Sequence, residues 1–270
     1  MTREQKVSTL IQYLKQENQG YASIPDPIDE GEQRRLLRSL MNVRYPGHAS
    51  AEYEKLQDEL LQEEAEEKGI VTCNDIPVIE QEYPCSEIKN SDRISLWRGD
   101  ITRLGVDAIV NAANSQLLGC FVPCHGCIDN AIHTFAGVEL RLACAKLMEQ
   151  QGYPEPTGRA KITPAFNLPC RYVLHTVGPI IDGRVTKADK DLLASCYRSC
   201  LALAAENGLE SVAFCCISTG EFHFPNELAA EIAVQTVKEF LKKQTSVKRV
   251  IFNVFKDLDK AIYEKLLRAA

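Results

Sequence analysis

The sequence predicts an α/β fold in which a largely parallel sheet is covered by helices on both faces and is preceded by a helical extension. Two patterns predict the α/β part. Beyond residue 91, short apolar runs alternate with longer segments of helical periodicity, and some of these runs, such as residues 212–217, are apolar throughout. Continuously apolar strands are typical of sheets buried on both faces, and strand–helix alternation is typical of parallel sheets. Residues 1–85 show helical periodicity instead and predict the extension.

The individual elements are predicted from periodicity, capping residues and stop signals. The extension has three helix candidates, at residues 3–17, at residues 30–42, and from the N-cap Ser50 to the stop at Gly69. The second domain, residues 86–270, has strand candidates at residues 94–97, 108–111, 171–176, 212–218 and 249–255. Its helix candidates are residues 129–150, 188–207, 226–243 and 258–268.

Composition and charge argue against several classes of function. The chain has 45% apolar and 25% charged residues and a net charge of −6, with residues 1–90 contributing −8 and the remainder +2. This balance lacks the basic surface that nucleic-acid phosphates require, so no nucleic-acid partner is expected. Every apolar run is shorter than a membrane span, which needs about 18 residues, and the N-terminus lacks the apolar stretch of a signal peptide. We therefore expect a cytoplasmic protein without a membrane partner.

The eleven cysteines are an odd number in a chain without a signal peptide, which argues against a disulfide framework. Five of them lie inside apolar runs and are predicted to pack as small hydrophobic residues: Cys144, Cys196, Cys200, Cys215 and Cys216. Three others, Cys120, Cys124 and Cys127, lie close together in a polar segment and form a separate case.

Three polar or glycine-rich segments follow predicted strands, at residues 111–129, 218–225 and 253–257. In largely parallel sheets, ligands bind beyond the C-terminal ends of the strands. Small residues and free amides before a helix are suited to a pyrophosphate, because the helix dipole and the unpaired N–H groups favour negative charge. Together, the segments predict a site for a diphosphate-containing ligand.

Four motifs in and near these segments resemble those of the macrodomains, a family that binds ADP-ribose. The motifs are Gly99-Asp-Ile-Thr102, Asn111-Ala-Ala-Asn114, Asp129-Asn-Ala-Ile-His133 and Ser218-Thr-Gly220. The resemblance covers roughly residues 90–270 and implies, for the domain of residues 86–270, a three-layer α/β/α fold with a mostly parallel mixed sheet. A purely parallel sheet would then need an antiparallel edge strand.

The resemblance also implies roles for single residues at the adenine and diphosphate ends of ADP-ribose. Asp100 would accept a hydrogen bond from the adenine amino group, Ile101 would supply a backbone contact nearby, and Phe255 is a candidate to lie against the ring. The alternatives are a turn residue for Asp100 and a core residue for Phe255. The diphosphate would be wrapped by five consecutive residues, Ser218, Thr219, Gly220, Glu221 and Phe222.

At the other end of the ligand, the resemblance places Asn114 and Asp129 at the distal ribose, where hydrolytic members of the family cleave. Asn114 would hold the ribose hydroxyls, and Asp129 would orient or deprotonate the attacking water as a general base. Phe222 or Phe224 would flank this ribose. Asp129 could instead be a helix N-cap, because it precedes an apolar helix.

One departure from the family pattern indicates a metal site. Ordinary macrodomains carry glycines between the second and third motifs, whereas this chain reads Cys120-Phe-Val-Pro-Cys124-His125-Gly-Cys127. Thiolate and imidazole ligands favour zinc. The loop resembles that of a zinc-dependent subgroup that removes ADP-ribose from protein side chains.

Cys124 and His125 are adjacent, so their side chains tend to diverge. We therefore predict one Zn²⁺ per chain, held by Cys120, His125 and Cys127, with Cys124 as the spare residue. Three protein ligands leave an open position, as in catalytic zinc sites, where the metal acts as a Lewis acid or lowers the pKa of a bound water. A closed structural site with all four residues, a redox pair and plain core cysteines remain alternatives.

The leading hypothesis is a zinc-dependent hydrolase that removes mono-ADP-ribose from modified protein side chains. The alternatives are a module that binds ADP-ribose marks without cleaving them and a phosphatase of free ADP-ribose phosphates. The resemblance implies an ADP-ribosylated protein substrate, with a lipoyl-carrier protein as a candidate, and a sirtuin-like ADP-ribosyltransferase as a candidate partner. The helical extension would either dock such a partner or cover apolar surface of the second domain.

Overall fold

The computed structural model describes residues 1–268. In this range the helices are α1 (Arg3–Glu17), α2 (Glu30–Val43), α3 (Ala51–Lys68), α4 (Ile79–Glu82), α5 (Ile128–Ala136), α6 (Val138–Gln151), α7 (Lys187–Glu206), α8 (Asn226–Leu241) and α9 (Asp257–Arg268). The strands are β1 (Val71–Thr72), β2 (Ile94–Arg98), β3 (Leu104–Gly105), β4 (Ala108–Ala113), β5 (Ala160–Pro164), β6 (Tyr172–Val177), β7 (Ser211–Phe214) and β8 (Arg249–Val254). No helix of this range is long and apolar enough to cross a membrane.

Within residues 1–268, six strands form the central sheet in the order β2-β8-β7-β4-β6-β5. All neighbouring pairs are parallel except β5 and β6, which are antiparallel. The predicted mixed, mostly parallel sheet is therefore confirmed. The antiparallel strand β5 was not among the strands predicted from the sequence, because it is a half-exposed edge strand without a continuous apolar run. β1 and β3 form a separate parallel pair of two residues each.

Two groups of helices pack against the sheet. α5 and α6 contact each other and the strands β4 and β5. α7 contacts β5 and β6, α9 contacts β2 and β8, and α8 packs against both α7 and α9. The buried side chains between these layers form one continuous core that includes the fully buried Ile109, Val173 and Val250. Four of the five cysteines predicted to pack in the core are buried, and Cys216 is partly buried against it.

The helical N-terminal region is confirmed, and it has a hydrophobic core of its own. Leu10, Leu37 and Leu60, from α1, α2 and α3, are fully buried in this second cluster, which Val138 of α6 joins. Ile76, before α4, packs into the core of the sheet. The division of the chain after residue 85 stays a prediction.

The helix predicted at residues 129–150 is wrong in one respect, because it is broken at Gly137. Gly137 has a φ of +98°, and a Cβ there would lie 2.6 Å from the Gln57 side chain. Gln57 comes from α3 and accepts a hydrogen bond from the Val138 N–H at 2.9 Å, while its amide donates to Glu139 Oε2 at 2.8 Å. A residue of the extension therefore caps α6 and separates it from α5.

The strand predicted at residues 212–218 ends earlier, at Phe214. Ser218 has a left-handed φ of +65°, and its carbonyl accepts a hydrogen bond from the Phe224 N–H at 2.9 Å. Beyond β7 the chain therefore turns into a compact loop and leaves the sheet, although its residues remain apolar up to Ile217.

Candidate active site

The predicted site segments meet at one edge of the sheet. β2, β4, β7 and β8 run in the same direction, so their C-terminal ends lie side by side. The residues that follow these ends are Gly99 to Ile101, Asn114, the loop that contains Ser218, and Phe255. The topology thus brings three of the four motifs of the sequence, together with Phe255, to the edge where parallel sheets bind their ligands.

Asp100 begins a short 3₁₀ turn, Ile101–Arg103, after β2. Its Oδ1 accepts hydrogen bonds from the Thr102 N–H at 3.0 Å and from the Thr102 hydroxyl at 2.7 Å. Its Oδ2 and the Ile101 N–H have no hydrogen-bond partner within residues 1–268. Asn253 donates to the Gly99 carbonyl at 2.9 Å and fixes the approach to the turn. Asp100 is thus a turn residue that still has one free carboxylate oxygen.

Phe255 directly follows β8 and is 73% exposed. This exposure rules out the alternative of a core residue. A large exposed ring beside the Asp100 strand end is available to pack against a flat ligand.

The loop of residues 218–224, called the Ser218 loop below, is held by hydrogen bonds within itself. Besides the Phe224-to-Ser218 bond, the His223 N–H donates to the Gly220 carbonyl at 3.1 Å. The N–H groups of Gly220, Glu221 and Phe222 donate to no acceptor in the described part of the chain. Consecutive free N–H groups just before α8 form a cradle for an anion.

The two candidate rings of this loop differ in burial. Phe224 is almost fully buried in the core, so it cannot flank a ligand. Phe222 is half-buried, and its carbonyl accepts a hydrogen bond from the Ile181 N–H at 2.9 Å. Of the two phenylalanines, only Phe222 has part of its side chain accessible to a ligand.

Asp129 lies in the first turn of α5 and is 5% exposed. Its Oδ1 accepts a hydrogen bond from Asn111 Nδ2 at 2.8 Å, and its Oδ2 accepts one from Asn114 Nδ2 at 3.4 Å. Burial raises the pKa of the Asp129 carboxyl to about 6, although the Asn111 hydrogen bond and the charge of Arg141 oppose the rise. The structure therefore brings the predicted pair Asn114 and Asp129 into contact. Asp129 is not the N-cap of α5, because that position is held by Cys127.

Two buried histidines lie behind this carboxylate. His175 contacts Asn111 Nδ2 at 3.2 Å and the Thr163 hydroxyl at 2.9 Å, and burial lowers its pKa to about 4. His133 lies 3.6 Å from Asp129 Oδ1, but burial lowers its pKa well below the usual range, so the two are not an ion pair. Neither ring nitrogen of His133 has a hydrogen-bond partner within residues 1–268.

Residues 120–127, called the Cys/His loop below, place three predicted metal ligands together. One donor atom each of Cys120, His125 and Cys127 lies within 4.8 Å of the other two. His125 Nδ1 is buried and has no hydrogen-bond partner among residues 1–268, whereas Nε2 lies 3.7 Å from Glu221 Oε1. Burial raises the pKa of the Cys127 thiol to about 12, so its thiolate requires a nearby cation. Two thiols and an orphaned imidazole nitrogen fit a zinc ion.

Cys124 does not join this cluster. Its Sγ lies 3.2 Å from the Ser39 hydroxyl and 3.4 Å from the Arg35 carbonyl, both in α2 of the extension. The thiol that the sequence left as a spare residue thus faces away from the other three side chains.

The family follows from comparison with known proteins. The model of the family described as "Macro domain" matches residues 110–233. A Treponema medium protein named protein-ADP-ribose hydrolase is 56% identical over 267 residues, which cover 99% of this chain and 100% of that relative. The chain belongs to the macrodomain family.

Further similarities extend beyond the matched segment of the macrodomain. A Staphylococcus aureus (strain MSSA476) protein, also named protein-ADP-ribose hydrolase, is 49% identical over 231 residues, covering 85% of this chain and 83% of that relative. The crystal structure of a Trypanosoma brucei macrodomain in complex with ADP-ribose has a TM-score of 0.65 and 32% identity. It covers 85% of this chain and 94% of the trypanosomal chain.

Several residues around the macrodomain site were missed by sequence reasoning. They are Arg38, Asn42, Tyr45, Asn130 and Arg141, which contact the Cys/His loop or the start of α5. Arg38 and Asn42 are four residues apart on α2, beside its apolar face. That spacing shows that they share a face of the helix, but no local signal identifies the loop that this face contacts.

Proposed function

We propose that this macrodomain is a zinc-dependent hydrolase that removes mono-ADP-ribose from modified protein side chains. The observation that carries the proposal is the placement of a buried, hydrogen-bonded carboxylate, Asp129, directly after a loop that groups Cys120, His125 and Cys127. The relatives named protein-ADP-ribose hydrolase support the removal of ADP-ribose from proteins. A binding module would gain little from a metal at the end of the ligand where cleavage occurs.

ADP-ribose would bind to groups at the C-terminal ends of the parallel strands. The free Oδ2 of Asp100 is an acceptor for the adenine amino group, and the exposed Phe255 ring is a surface for the base. The free N–H groups of Gly220, Glu221 and Phe222 would donate to the diphosphate. Because these donors belong to backbone, the chain needs no excess of Lys or Arg to hold the anion.

The chemistry would centre on Asp129. Hydrolysis adds the elements of water across the bond between the distal ribose and the modified side chain, and it releases ADP-ribose and the free side chain. With a pKa of about 6, the Asp129 carboxyl is ionised at neutral pH and can take a proton from the attacking water. Asn111 holds one carboxylate oxygen and Asn114 the other, so the direction of the base is set before substrate arrives.

Asn114 would also contact the ligand. Its Nδ2 donates to the Gly119 carbonyl at 3.1 Å and to Asp129, and its Oδ1 accepts from the Gln116 N–H at 3.0 Å. A carbonyl oxygen has a second lone pair, which can accept a hydrogen bond from a ribose hydroxyl. Gly119, with a φ of +78°, packs against the His133 ring, where a Cβ would come within 2.8 Å.

Cys120, His125 and Cys127 would hold the zinc ion. When bound, zinc supplies Lewis acidity and lowers the pKa of a bound water. The orphaned His125 Nδ1 supports this ligand set, and Glu221 beside Nε2 would orient the ring in the way carboxylates orient metal-binding histidines.

The decisive experiment compares substrates. The purified protein is incubated with mono-ADP-ribosylated protein and, separately, with free ADP-ribose phosphates. Release of ADP-ribose from the protein supports the hydrolase. Release of phosphate alone would identify a phosphatase, and tight binding of ADP-ribose without release from the protein would identify a binding module.

Metal content tests the ligand set. We expect freshly purified protein to carry about one zinc per chain, and a triple variant with Cys120→Ala, His125→Ala and Cys127→Ala to carry none. Mass spectrometry of the metal gives both numbers. The matched control is Cys124→Ser, which should keep its zinc because the Cys124 thiol faces the extension. Zinc in the triple variant would place the metal at other cysteines.

Ligand affinity tests the adenine contact. Asp100→Ala should weaken ADP-ribose binding by more than about 1.5 kcal/mol, the scale of a hydrogen bond to a charged group. Calorimetry measures the change. Asp100→Asn is the control for the turn, since its oxygen can still accept from Thr102 while its amide donor would face the adenine amino group. Parental affinity in both variants would remove Asp100 from the adenine site.

The cellular location of the protein and its partners are further parts of the proposal. A cytoplasmic location is supported by the eleven cysteines, which all lie in the described part of the chain and are all free. A lipoyl-carrier protein as substrate and a sirtuin-like ADP-ribosyltransferase as partner rest on the family resemblance alone. Incubation with an ADP-ribosylated lipoyl-carrier protein is the direct test of the first.

A further inference from the structure

The Cys/His loop has few constraints of its own. Among the residues that the structure describes, one backbone hydrogen bond lies inside the loop, from the His125 N–H to the Val122 carbonyl at 3.2 Å. Cys124 has a φ of +52°, a left-handed conformation that is unfavourable for a residue with a Cβ. Such a conformation persists only when surrounding groups hold it. The question is therefore which groups hold this loop.

Arg38 of α2 holds two points of the loop. Its Nη2 donates to the His125 carbonyl at 3.1 Å and to Asn130 Oδ1 at 2.7 Å, and its Nε also faces Asn130 Oδ1, at 3.2 Å. Asn130 is fully buried, and it links Arg38 to Val122 because its Nδ2 donates to the Val122 carbonyl at 3.0 Å. One guanidinium thus fixes His125 directly and Val122 through a single amide.

Asn42 holds the strained residue. Its Oδ1 accepts a hydrogen bond from the Cys124 N–H at 2.9 Å, and its Nδ2 donates to the Thr134 hydroxyl of α5 at 3.0 Å. Asn42 is almost fully buried, so water does not compete for these bonds. Arg38 and Asn42 lie four residues apart and therefore on the same face of α2.

The other end of the loop is held by packing. The Phe121 ring lies 5.4 Å from the Tyr45 ring, just beyond α2, and 4.3 Å from the Arg141 guanidinium of α6. The contacts at Phe121, Val122, Cys124 and His125 cover the segment between Cys120 and Cys127. An extension that served only to cover apolar surface would not need to donate and accept hydrogen bonds at the backbone of this loop.

We propose that α2 of the extension is a clamp that holds the Cys/His loop in its ligand-binding conformation, with Arg38 and Asn42 as the positioning residues. The clamp rests on the proposed function in so far as the ligand is zinc. A metal site must be held within about 0.5 Å of its working geometry by the residues around it. The extension supplies those residues from a position more than 80 residues earlier in the chain.

Zinc affinity is the first test. In competition with a chromophoric chelator, Arg38→Ala and Asn42→Ala should each bind zinc about 10- to 100-fold more weakly than the parent chain, as is usual when the partners of metal ligands are removed. Arg35→Ala is the matched control, because Arg35 lies on the same helix with an exposed side chain and keeps its carbonyl. Parental zinc affinity in both clamp variants overturns the proposal.

A second variant covers the case in which Arg38→Ala fails to fold. Arg38→Lys keeps the positive charge, but a single ammonium cannot reproduce the two-nitrogen contact with Asn130 and His125. It should therefore also bind zinc more weakly. Parental affinity in Arg38→Lys would show that charge alone suffices and would overturn the clamp.

Hydrogen–deuterium exchange separates this proposal from the proposed function. In metal-free protein, the amides of residues 121–127 should exchange faster in Arg38→Ala and Asn42→Ala than in the parent chain or in Arg35→Ala. If the parent chain binds no zinc, the zinc-dependent function fails, yet faster exchange in the variants still supports the clamp. Unchanged exchange in both variants overturns the clamp whatever the metal result.

Discussion

Replacing Asp129 by Ala should lower the rate of ADP-ribose removal from modified protein by about 100-fold or more, the usual contribution of a positioned general base. ADP-ribose should still bind, because the carboxylate would act mainly at the reaction centre and its two oxygens accept hydrogen bonds from Asn111 and Asn114. Single-turnover release of ADP-ribose and calorimetric binding, measured on the same preparation, test both parts.

Asp129→Asn is the control for shape. An amide has nearly the same size as the carboxylate and keeps one accepting oxygen, but its NH2 group loses the hydrogen bond from Asn111 or from Asn114, and it cannot take a proton from water. Equal loss of turnover in Asp129→Ala and Asp129→Asn, with binding retained, supports the general base. Equal loss of binding and turnover would make Asp129 a ligand anchor instead.

Replacing Cys127 by Ser should lower the rate of hydrolysis by at least about 100-fold, while the fold is retained. The magnitude follows from the several kcal/mol that a metal site contributes to a transition state, at about 1.4 kcal/mol for each factor of ten. The fold should be retained because the Cys127 side chain also caps α5, accepting a hydrogen bond from the Asn130 N–H at 3.4 Å. Serine is a strongly preferred cap, so Cys127→Ser removes a zinc ligand without removing the cap.

Three measurements check this prediction: the rate, the zinc content and the melting temperature. A catalytic zinc predicts that Cys127→Ser and the chelated parent chain melt within a few degrees of the zinc-loaded protein, because the α/β core is large enough to stand alone. A structural zinc predicts a sharp drop in melting temperature, since losing such a metal costs folding energy. That drop would place the binding module ahead of the hydrolase.

Much of the architecture could be predicted because the strands and helices have recognisable patterns within short stretches of sequence. The parallel strands carry apolar runs, and the residues after them form recognisable motifs. β5 could not be predicted in this way, because Ala160–Pro164 is half-exposed and its strand geometry comes from pairing with β6. The break at Gly137 depends on Gln57, about 80 residues earlier, which no window of helical periodicity includes.

The residues of the candidate site likewise fall into a group that could be predicted from the sequence and a group that could not. Asp100 and Asp129 were found because their motifs resemble those of the macrodomains, and the three clustered residues of the Cys/His loop were found from their residue types and from the departure of the loop from the family pattern. Arg38 and Asn42 were not, because their partners lie 87 and 82 residues away in the chain. Long-range polar contacts leave no periodic trace in a sequence, so the residues that shape a site are harder to predict than those that line it.

The hydrogen bonds among Asn111, His175 and Asp129 also determine which ring nitrogen of His175 carries a hydrogen. Asn111 uses its amide hydrogens toward Asp129 Oδ1 and His175 Nδ1, so this nitrogen of His175 must be the unprotonated one. A neutral imidazole then carries its hydrogen on Nε2, where the Thr163 hydroxyl is the nearest acceptor, at 2.9 Å. The tautomer of His175 is thus selected by the amide of Asn111, and the Thr163 hydroxyl on the antiparallel edge strand β5 serves as the acceptor for Nε2. A continuous chain of hydrogen bonds thereby runs from Thr163, on the outermost strand of the sheet, through His175 and Asn111 to the carboxylate of Asp129.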